Sequence, residues 1–390
     1  MPLPFLPFAL PELGQEEIDE VVDTMKSGWL TTGPKTARFE KEFAEYTGAR
    51  FALAVNSGTG GLHLALEAIG VGPGDLVITT PYTFTASAEV VRYLGADPVF
   101  VDINPRTFNL DSDKLETLLS SKGGRDLSAV KAIIPVHFGG LACAMDPILQ
   151  LAGEYGLKVI EDAAHALPCR SNGQMIGTVG EATVFSFYVT KPLATGEGGM
   201  ITTQSEKLAN RIKVMRLHGI NQDVWERYTS TKPKWYYEVV APGFKYNMTD
   251  IMASIGIHQL RKVDRFQQRR DWIAQQYTQA FSDLPIRTPK VAGPQDKHAW
   301  HLYVIQLELE ELRITRDEFI EKMAQNGIGT SVHFIPLHIQ PYWRDRYGFK
   351  PEDYPVALDC YQRAVSLPIY SKMTDNDVDR VIGAVREILS

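Results

Sequence analysis

Three short stretches of the 390-residue chain hold side chains that could act together in one reaction. Asn56-Ser57-Gly58-Thr59-Gly60-Gly61 runs straight into the apolar-periodic LHLALEAIG. Backbone N–H groups at a helix start have no intrahelical partner, and glycines let a ligand approach them, so this turn can cradle a phosphate. It equally describes a capped helix with a permissive turn. It matches neither GxGxxG nor GxxxxGK[ST], which weakens a dinucleotide or P-loop reading. Glu161-Asp162-Ala163-Ala164-His165 directly follows an apolar run. A carboxylate there can hold a protonated ring nitrogen, because the opposite charge favours the cationic heterocycle; the same Asp can also cap a following helix. The third stretch is Ser186-Phe187-Tyr188-Val189-Thr190-Lys191-Pro192, running into Gly196-Glu197-Gly198-Gly199-Met200. A lysine in a glycine-rich bend between buried strands is partly desolvated, which lowers its pKa and makes its amine nucleophilic toward carbonyls. Cradle, carboxylate and amine, in that order, match the phosphate, pyridine nitrogen and aldehyde of pyridoxal 5′-phosphate (PLP).

These groups need a scaffold that brings strand ends together. Between about residues 51 and 205, short apolar or β-branched runs alternate with helical stretches: LVITT (76–80), DPVFVDI (97–103), KAIIPVH (131–137), KVIEDA (158–163), ATVFSF (182–187) and GMITT (199–203). Continuous apolar strands separated by helices predict an α/β fold whose mostly parallel sheet is covered on both faces. Thr80, Tyr82, His137, Asp162, Ser186 and Lys191 then fall at or beyond strand ends, the edge where open α/β sheets bind ligands. Ile18, Val21, Val22 and Met25 have helical spacing within 15–25, which predicts a surface helix. The Pro-free stretch 249–281 predicts a long connecting helix. It spans the boundary between an expected large domain (1–260) and a smaller C-terminal α/β domain (261–390), the latter built from HLYVIQLELE (301–310), a helix near 316–326, GTSVHF (329–334) and a last helix at 375–389. Residues 219–242 have no clear period and read as a functional loop or partner contact.

Composition narrows the classes. Forty Lys and Arg against 47 Asp and Glu leave a net charge of −7. With the signs interspersed, no positive field exists to gather nucleic acid. Cys143, Cys169 and Cys360 are odd in number and lack CxxC spacing, so neither a disulfide framework nor a zinc site is expected, and a cytoplasmic location fits. His298 and His301 lack a metal-motif spacing, and no metal is expected. The opening MPLPFLPFALPELG has neither the charge nor the apolar run of a signal peptide, and no run approaches the ~18 residues of a membrane span, so no membrane insertion is expected.

The sequence resembles the DegT/DnrJ/EryC1/StrS family of PLP-dependent sugar aminotransferases of fold-type I, in its 4-amino-sugar branch. Nine blocks in family order carry the resemblance: SGWLTTGPK (27–35), NSGTGGLHLAL (56–66), TPYTFTAS (80–87), VIEDAAHA (159–166), SFYVTK with GEGGM (186–200), GFKYNMTDIMASIG (243–256), AWHLYV (299–304), VHFIPLHIQPYW (332–343) and SLPIY (366–370). The resemblance implies that Lys191 bonds to the cofactor aldehyde and later shuttles the proton. It puts Asp162 on the pyridine nitrogen, His165 beside the phenolic oxygen and Phe84 over the ring. Gly58, Thr59 and Ser186 are implied phosphate contacts. Asn247 would reach the phosphate of a neighbouring subunit, which implies a homodimer with shared active sites. Trp29, Thr31, Tyr188 and His333 lie on blocks that border the sugar nucleotide. Pro168-Cys169, Met248 and Ser254 depart from the family's usual residues.

The implied activity moves an amino group from glutamate to the 4-keto carbon of a nucleotide-linked sugar, by a ping-pong route through pyridoxamine phosphate (PMP), in amino-sugar biosynthesis such as that of lipopolysaccharide. His165, where 3-aminating relatives often have Gln, favours C4; Lys191, where a dehydrating sister group has His, disfavours dehydration. The alternatives are C3 amination or dehydration on the same fold, or a non-catalytic regulator that retains PLP.

Overall fold

A computed structural model describes residues 4–120, 128–221, 236–290 and 293–390 of the chain. Two helices open the fold, α1 (Gln15–Ser27) and α2 (Pro34–Thr47). The central region then alternates: β1 (Phe51–Val55), α3 (Gly58–Ala68), β2 (Leu76–Thr79), α4 (Ala86–Tyr93), β3 (Asp97–Phe100), α5 (Ser112–Ser120), β4 (Val130–Ile133), α6 (Met145–Tyr155) and β5 (Lys158–Asp162). A small hairpin of β6 (Arg170–Ser171) and β7 (Gln174–Met175) precedes β8 (Ala182–Ser186), β9 (Gly199–Thr203) and α7 (Glu206–Met215). Seven strands form the central sheet in the order β1-β9-β8-β5-β4-β2-β3.

The pairs β2–β3, β2–β4, β4–β5 and β5–β8 are parallel, while β9 pairs antiparallel with both β8 and β1. Two reversals restore direction, so β9 alone runs the other way in this sheet. The carboxyl ends of β1, β2, β5 and β8 therefore share one edge, with Asp162 ending β5 and Gly58, Phe84 and Lys191 following β1, β2 and β8. Apolar clusters on the two sheet faces bury Val77, Ile160, Val184 and Ile201 against α3 and α7, and Ile78, Val99 and Ile133 against α5 and α6. Helix α3 lies unusually close to the sheet at Gly61, where a Cβ would stand 2.6 Å from a Val184 methyl. Strand β1, FALAV, escapes the sequence reading because its alanines have low strand propensity and its burial comes from the β9 pairing.

The predicted long helix is α8 (Asp250–Ala280), begun by Thr249, whose hydroxyl accepts from Met252 N. Beyond it, β10 (Ile286–Arg287), β11 (Tyr303–Leu307), α9 (Arg316–Gln325), α10 (Pro341–Tyr347), α11 (Pro355–Arg363), β12 (Ala364–Leu367) and α12 (Asp375–Leu389) surround a second, three-stranded antiparallel sheet. Leu6 from the chain start joins its core. The stretch 329–334 is not a strand: it makes a single bridge, Ser331 to Ser366, because it crosses toward the large sheet, where Leu337 N donates to Pro81 O.

Helix α1 is a surface helix, but its apolar stripe faces away from the core. Ile18 is 53% and Met25 61% exposed, while Glu17 and Thr24 are buried against α8 through Lys262, Gln259 and Ser254. Residues 222–235 of the expected 219–242 loop lie outside the described residues; Tyr236, Tyr237, Val239 and Val240 beside them are exposed. No helix among the described residues is long and apolar enough to cross a membrane.

Candidate active site

The shared strand edge opens into a cavity of about 620 Å³. Gly58, Thr59, Phe84, Asp162, His165, Ser186, Tyr188, Lys191 and His333, all expected from the sequence, line it. The cradle forms because Ser57 caps α3, its hydroxyl accepting from Gly60 N at 3.0 Å, which aims the free N–H groups of the first turn at the cavity. A side chain at position 58 would put Cβ 3.1 Å from that of Ser186, so the two loops approach closely there and a Cβ would press on Ser186.

Asp162 ends β5 and caps no helix. Its Oδ2 accepts from Ser87 Oγ at 2.7 Å and its Oδ1 from Ala164 N at 3.1 Å. Ser87 also lies 2.8 Å from Thr83 Oγ1, so α4 fixes the carboxylate from its first turn. The preceding residue, Glu161, points to the other side. Burial alone would raise its carboxyl, yet hydrogen bonds with His137, Thr183 Oγ1 and Gly180 N hold it below the ordinary value. It ties the end of β5 to its two neighbours.

Lys191 sits in the bend between β8 and β9, its N–H donating to Tyr188 O at 2.8 Å. Burial lowers its amine to about 8, with Asp162 acting in the opposite direction. At pH 7 about a tenth of such amines are uncharged, against roughly one in 2,500 for an ordinary lysine. His165 accepts from Gly139 N at its Nδ1 (3.2 Å), so its proton is on Nε2; burial, then Lys191 and His333, keep it well below 6.5 and neutral. Burial and Lys191 bring His333 down to about 4, and its Nδ1 lies 2.8 Å from Ser366 Oγ. Phe84 lines the cavity and is 60% exposed.

Trp29, Thr31 and Asn247 are not brought to this cavity. They gather where α2 and α8 begin: Asn247 Nδ2 donates to Thr32 Oγ1 at 2.7 Å, Trp29 Nε1 to Thr32 O at 3.0 Å, and Thr31 O accepts from Asp250 N. Asp250 builds this corner, its carboxylate accepting from Gly33 N, Lys35 N, Thr36 N and Thr36 Oγ1. Sequence reasoning misses Phe8, Ser87, Glu197, Ser331, Phe334 and His301. Of these, only His301 carries a signal, and that signal raises a metal site rather than this cavity; its ring in fact lies 4.4 Å from that of His165, while His298 stacks on Trp300.

The donor set suits PLP: a helix N-terminus with hydroxyls for a phosphate, a fixed carboxylate for a ring nitrogen, and a desolvated amine for an aldehyde. Comparison with known proteins agrees. The chain is 50% identical over 386 residues to the spore coat polysaccharide biosynthesis protein SpsC of Bacillus subtilis, covering 99% of this chain and 97% of that protein. An uncharacterised Methanocaldococcus jannaschii protein is equally similar, 50% over 386 residues, covering 99% and 98%. Among solved structures, Spr1654 of Streptococcus pneumoniae, assigned as a sugar aminotransferase, matches in its PMP form with a TM-score of 0.90 at 33% identity, covering 98% of each chain, and in its PLP form with 0.89, covering 99% and 100%. These neighbours share the fold-type I architecture expected from the sequence. The model of the DegT/DnrJ/EryC1/StrS aminotransferase family matches residues 11–386, and the chain belongs to that family as a PLP-dependent sugar aminotransferase.

Proposed function

We propose that the enzyme transfers the amino group of glutamate to the 4-keto carbon of a nucleotide-linked sugar, making a 4-amino sugar. The observation that carries this reading is the meeting of Lys191, Asp162 and the α3 cradle in one cavity lined also by Tyr188 and His333. When bound, PLP supplies the electron sink that stabilises a carbanion at the reacting carbon. The chain supplies placement and proton transfer. Gly58, Thr59 and Ser186 would hold the phosphate, and Asp162, fixed by Ser87 and Ala164 N, would keep the ring nitrogen protonated. His165, whose Nε2–H is free to donate, would hold the phenolic oxygen, and Phe84 would cover the ring. Lys191 would hold the cofactor aldehyde, and its amine, with a pKa lowered by burial, would suit proton transfer at the reacting carbon near neutral pH.

The active unit in this reading is a cytoplasmic homodimer. The exposed Ile18, Val22 and Met25 stripe gives a second copy an apolar face, and Trp29, Thr31 and Asn247, outside their own chain's cavity, would complete the partner's site. Residues 1–260 form the cofactor-binding unit and 261–390 the unit that adds His301 and His333. His165 supports C4 over C3, and the likeness to SpsC supports a surface-polysaccharide building block as product. Incubating the holoenzyme with glutamate and, separately, a 4-keto and a 3-keto sugar nucleotide tests the reading. A 4-amino product supports it. A 3-amino or dehydrated product, or no glutamate-dependent loss of the yellow band, overturns it.

A further inference from the structure

His301 lines the cavity, yet no step above uses it. It follows Trp300, whose φ of +46° is left-handed, a conformation that bulky side chains hold only where their surroundings impose it. Here several contacts impose it. Trp300 N donates to His298 Nδ1 at 2.9 Å, and the His298 ring stacks on the indole at 3.8 Å and 5°. Arg270 Nη1 donates to Trp300 O at 3.1 Å, and Gln267 Nε2 to His298 O at 2.7 Å. So many groups holding one strained residue mark a mount for the side chain that follows it.

The imidazole that it mounts is 6% exposed, and its Nδ1 is enclosed with no hydrogen-bond partner among the described residues. A buried N–H without an acceptor costs more than a bare lone pair, so the ring proton stays on Nε2. Burial, with Lys191 and His165 next in weight, keeps the ring neutral. His165 has the same tautomer, because its Nδ1 accepts from Gly139 N. Two neighbouring imidazoles thus each hold a single N–H donor at Nε2, a pair suited to two adjacent anionic oxygens.

Covalent chemistry narrows which oxygens these are. The phenolic oxygen assigned to His165 sits on the ring carbon next to the one bearing the aldehyde. A donor amino acid joins through that aldehyde, and its α-carboxylate lies one carbon beyond the amine. A group beside His165 is therefore within reach of a carboxylate turned to the phenolic-oxygen side. Among the described lining residues none is Arg, and Lys191, the one Lys, spends its amine on the chemistry. We propose that His301 donates its Nε2–H to the α-carboxylate of the amino donor, a role that rests on the aminotransfer reading above.

The test compares wild type with His301→Phe as holoenzymes of equal PLP content. The two amines are L-glutamate and 4-aminobutyrate, which is glutamate without its α-carboxylate. Rates of yellow-band loss give the preference for glutamate; calorimetry gives the Kd of glutarate, which binds without reacting, and of a 4-amino sugar nucleotide. The expected result is a roughly 10- to 100-fold fall in the glutamate preference with a matching rise in the glutarate Kd, while the sugar nucleotide binds as before. Unchanged preference and unchanged glutarate binding overturn the role, and so does an equal loss of sugar-nucleotide affinity. If the Phe variant does not fold, His301→Asn and His301→Leu replace it: Asn, which keeps an N–H, must retain preference that Leu loses, and equal behaviour refutes the proposal. If neither amine bleaches the wild type, the aminotransfer reading itself fails, whereas glutarate binding still reports on His301.

Discussion

Replacing Asp162 with Asn removes one negative charge and almost no volume, so it isolates the electrostatic part of the site. Asp162 is buried and accepts from Ser87 Oγ and Ala164 N on its two oxygens. The amide of the variant can keep both contacts, its oxygen accepting from Ala164 N and its NH₂ donating to Ser87 Oγ, whose hydroxyl can turn to Thr83 Oγ1, so the change falls on the ring nitrogen, which loses its counter-charge. Removing one member of a buried ion pair costs about 3–5 kcal/mol. If that loss falls on the step in which the protonated ring draws off charge, kcat drops roughly 10²- to 10⁴-fold. Because the phosphate cradle and Lys191 are untouched, the variant should still bind PLP through Lys191. The assay is single-turnover loss of the yellow band with glutamate, on variant protein whose PLP content and melting temperature have been measured. A rate within tenfold of wild type in fully loaded protein would refute the assignment of Asp162 to the ring nitrogen.

Three further outcomes follow from the same geometry. Lys191→Met apoenzyme should melt above wild-type apoenzyme at pH 7: the folded amine titrates near 8 and the unfolded one near 10.4, so below pH 8 folding carries a cost of about 3 kcal/mol that fades as the pH rises toward 10; a gap that does not narrow with pH contradicts this. Met25→Asp puts a carboxylate on the exposed stripe of α1 and should shift the dimer toward monomer in sedimentation velocity at micromolar protein, whereas unchanged sedimentation argues against that face as the interface. Asp250→Ala strips the start of α2 of four hydrogen bonds and should lower stability by about 3 kcal/mol in urea unfolding; an unmoved midpoint would show that water replaces the carboxylate there.

The sheet was legible because its strands are buried on both faces and read as apolar runs, and because strand polarity alone sends Asp162, Ser186 and Lys191 to one edge. The turn at 56–61 was legible as a helix start, because a Ser before glycines and an apolar-periodic run is an N-cap signal, and Ser57 does cap α3. Less could be read where position depends on distant partners. Helix α1 has a clean apolar period, which names a stripe but not what covers it; only the polar contacts of Glu17 and Thr24 with α8 show that the stripe faces outward. The stretch 329–334 has strand-like residues, yet its course is set by bonds to Pro81 and Ser366, far away in sequence. His301 looks ordinary in AWHLYV, because what distinguishes it is the backbone of Trp300 and the nearness of His165, neither of which leaves a mark in the residue order.

Borohydride reduction of the PLP-loaded enzyme, followed by peptide mass spectrometry, decides whether Lys191 is the residue bonded to the cofactor. A single reduced pyridoxyl adduct is expected, on the peptide that carries Lys191, and none in Lys191→Ala. An adduct on another lysine, or the same adduct yield in Lys191→Ala, would contradict it.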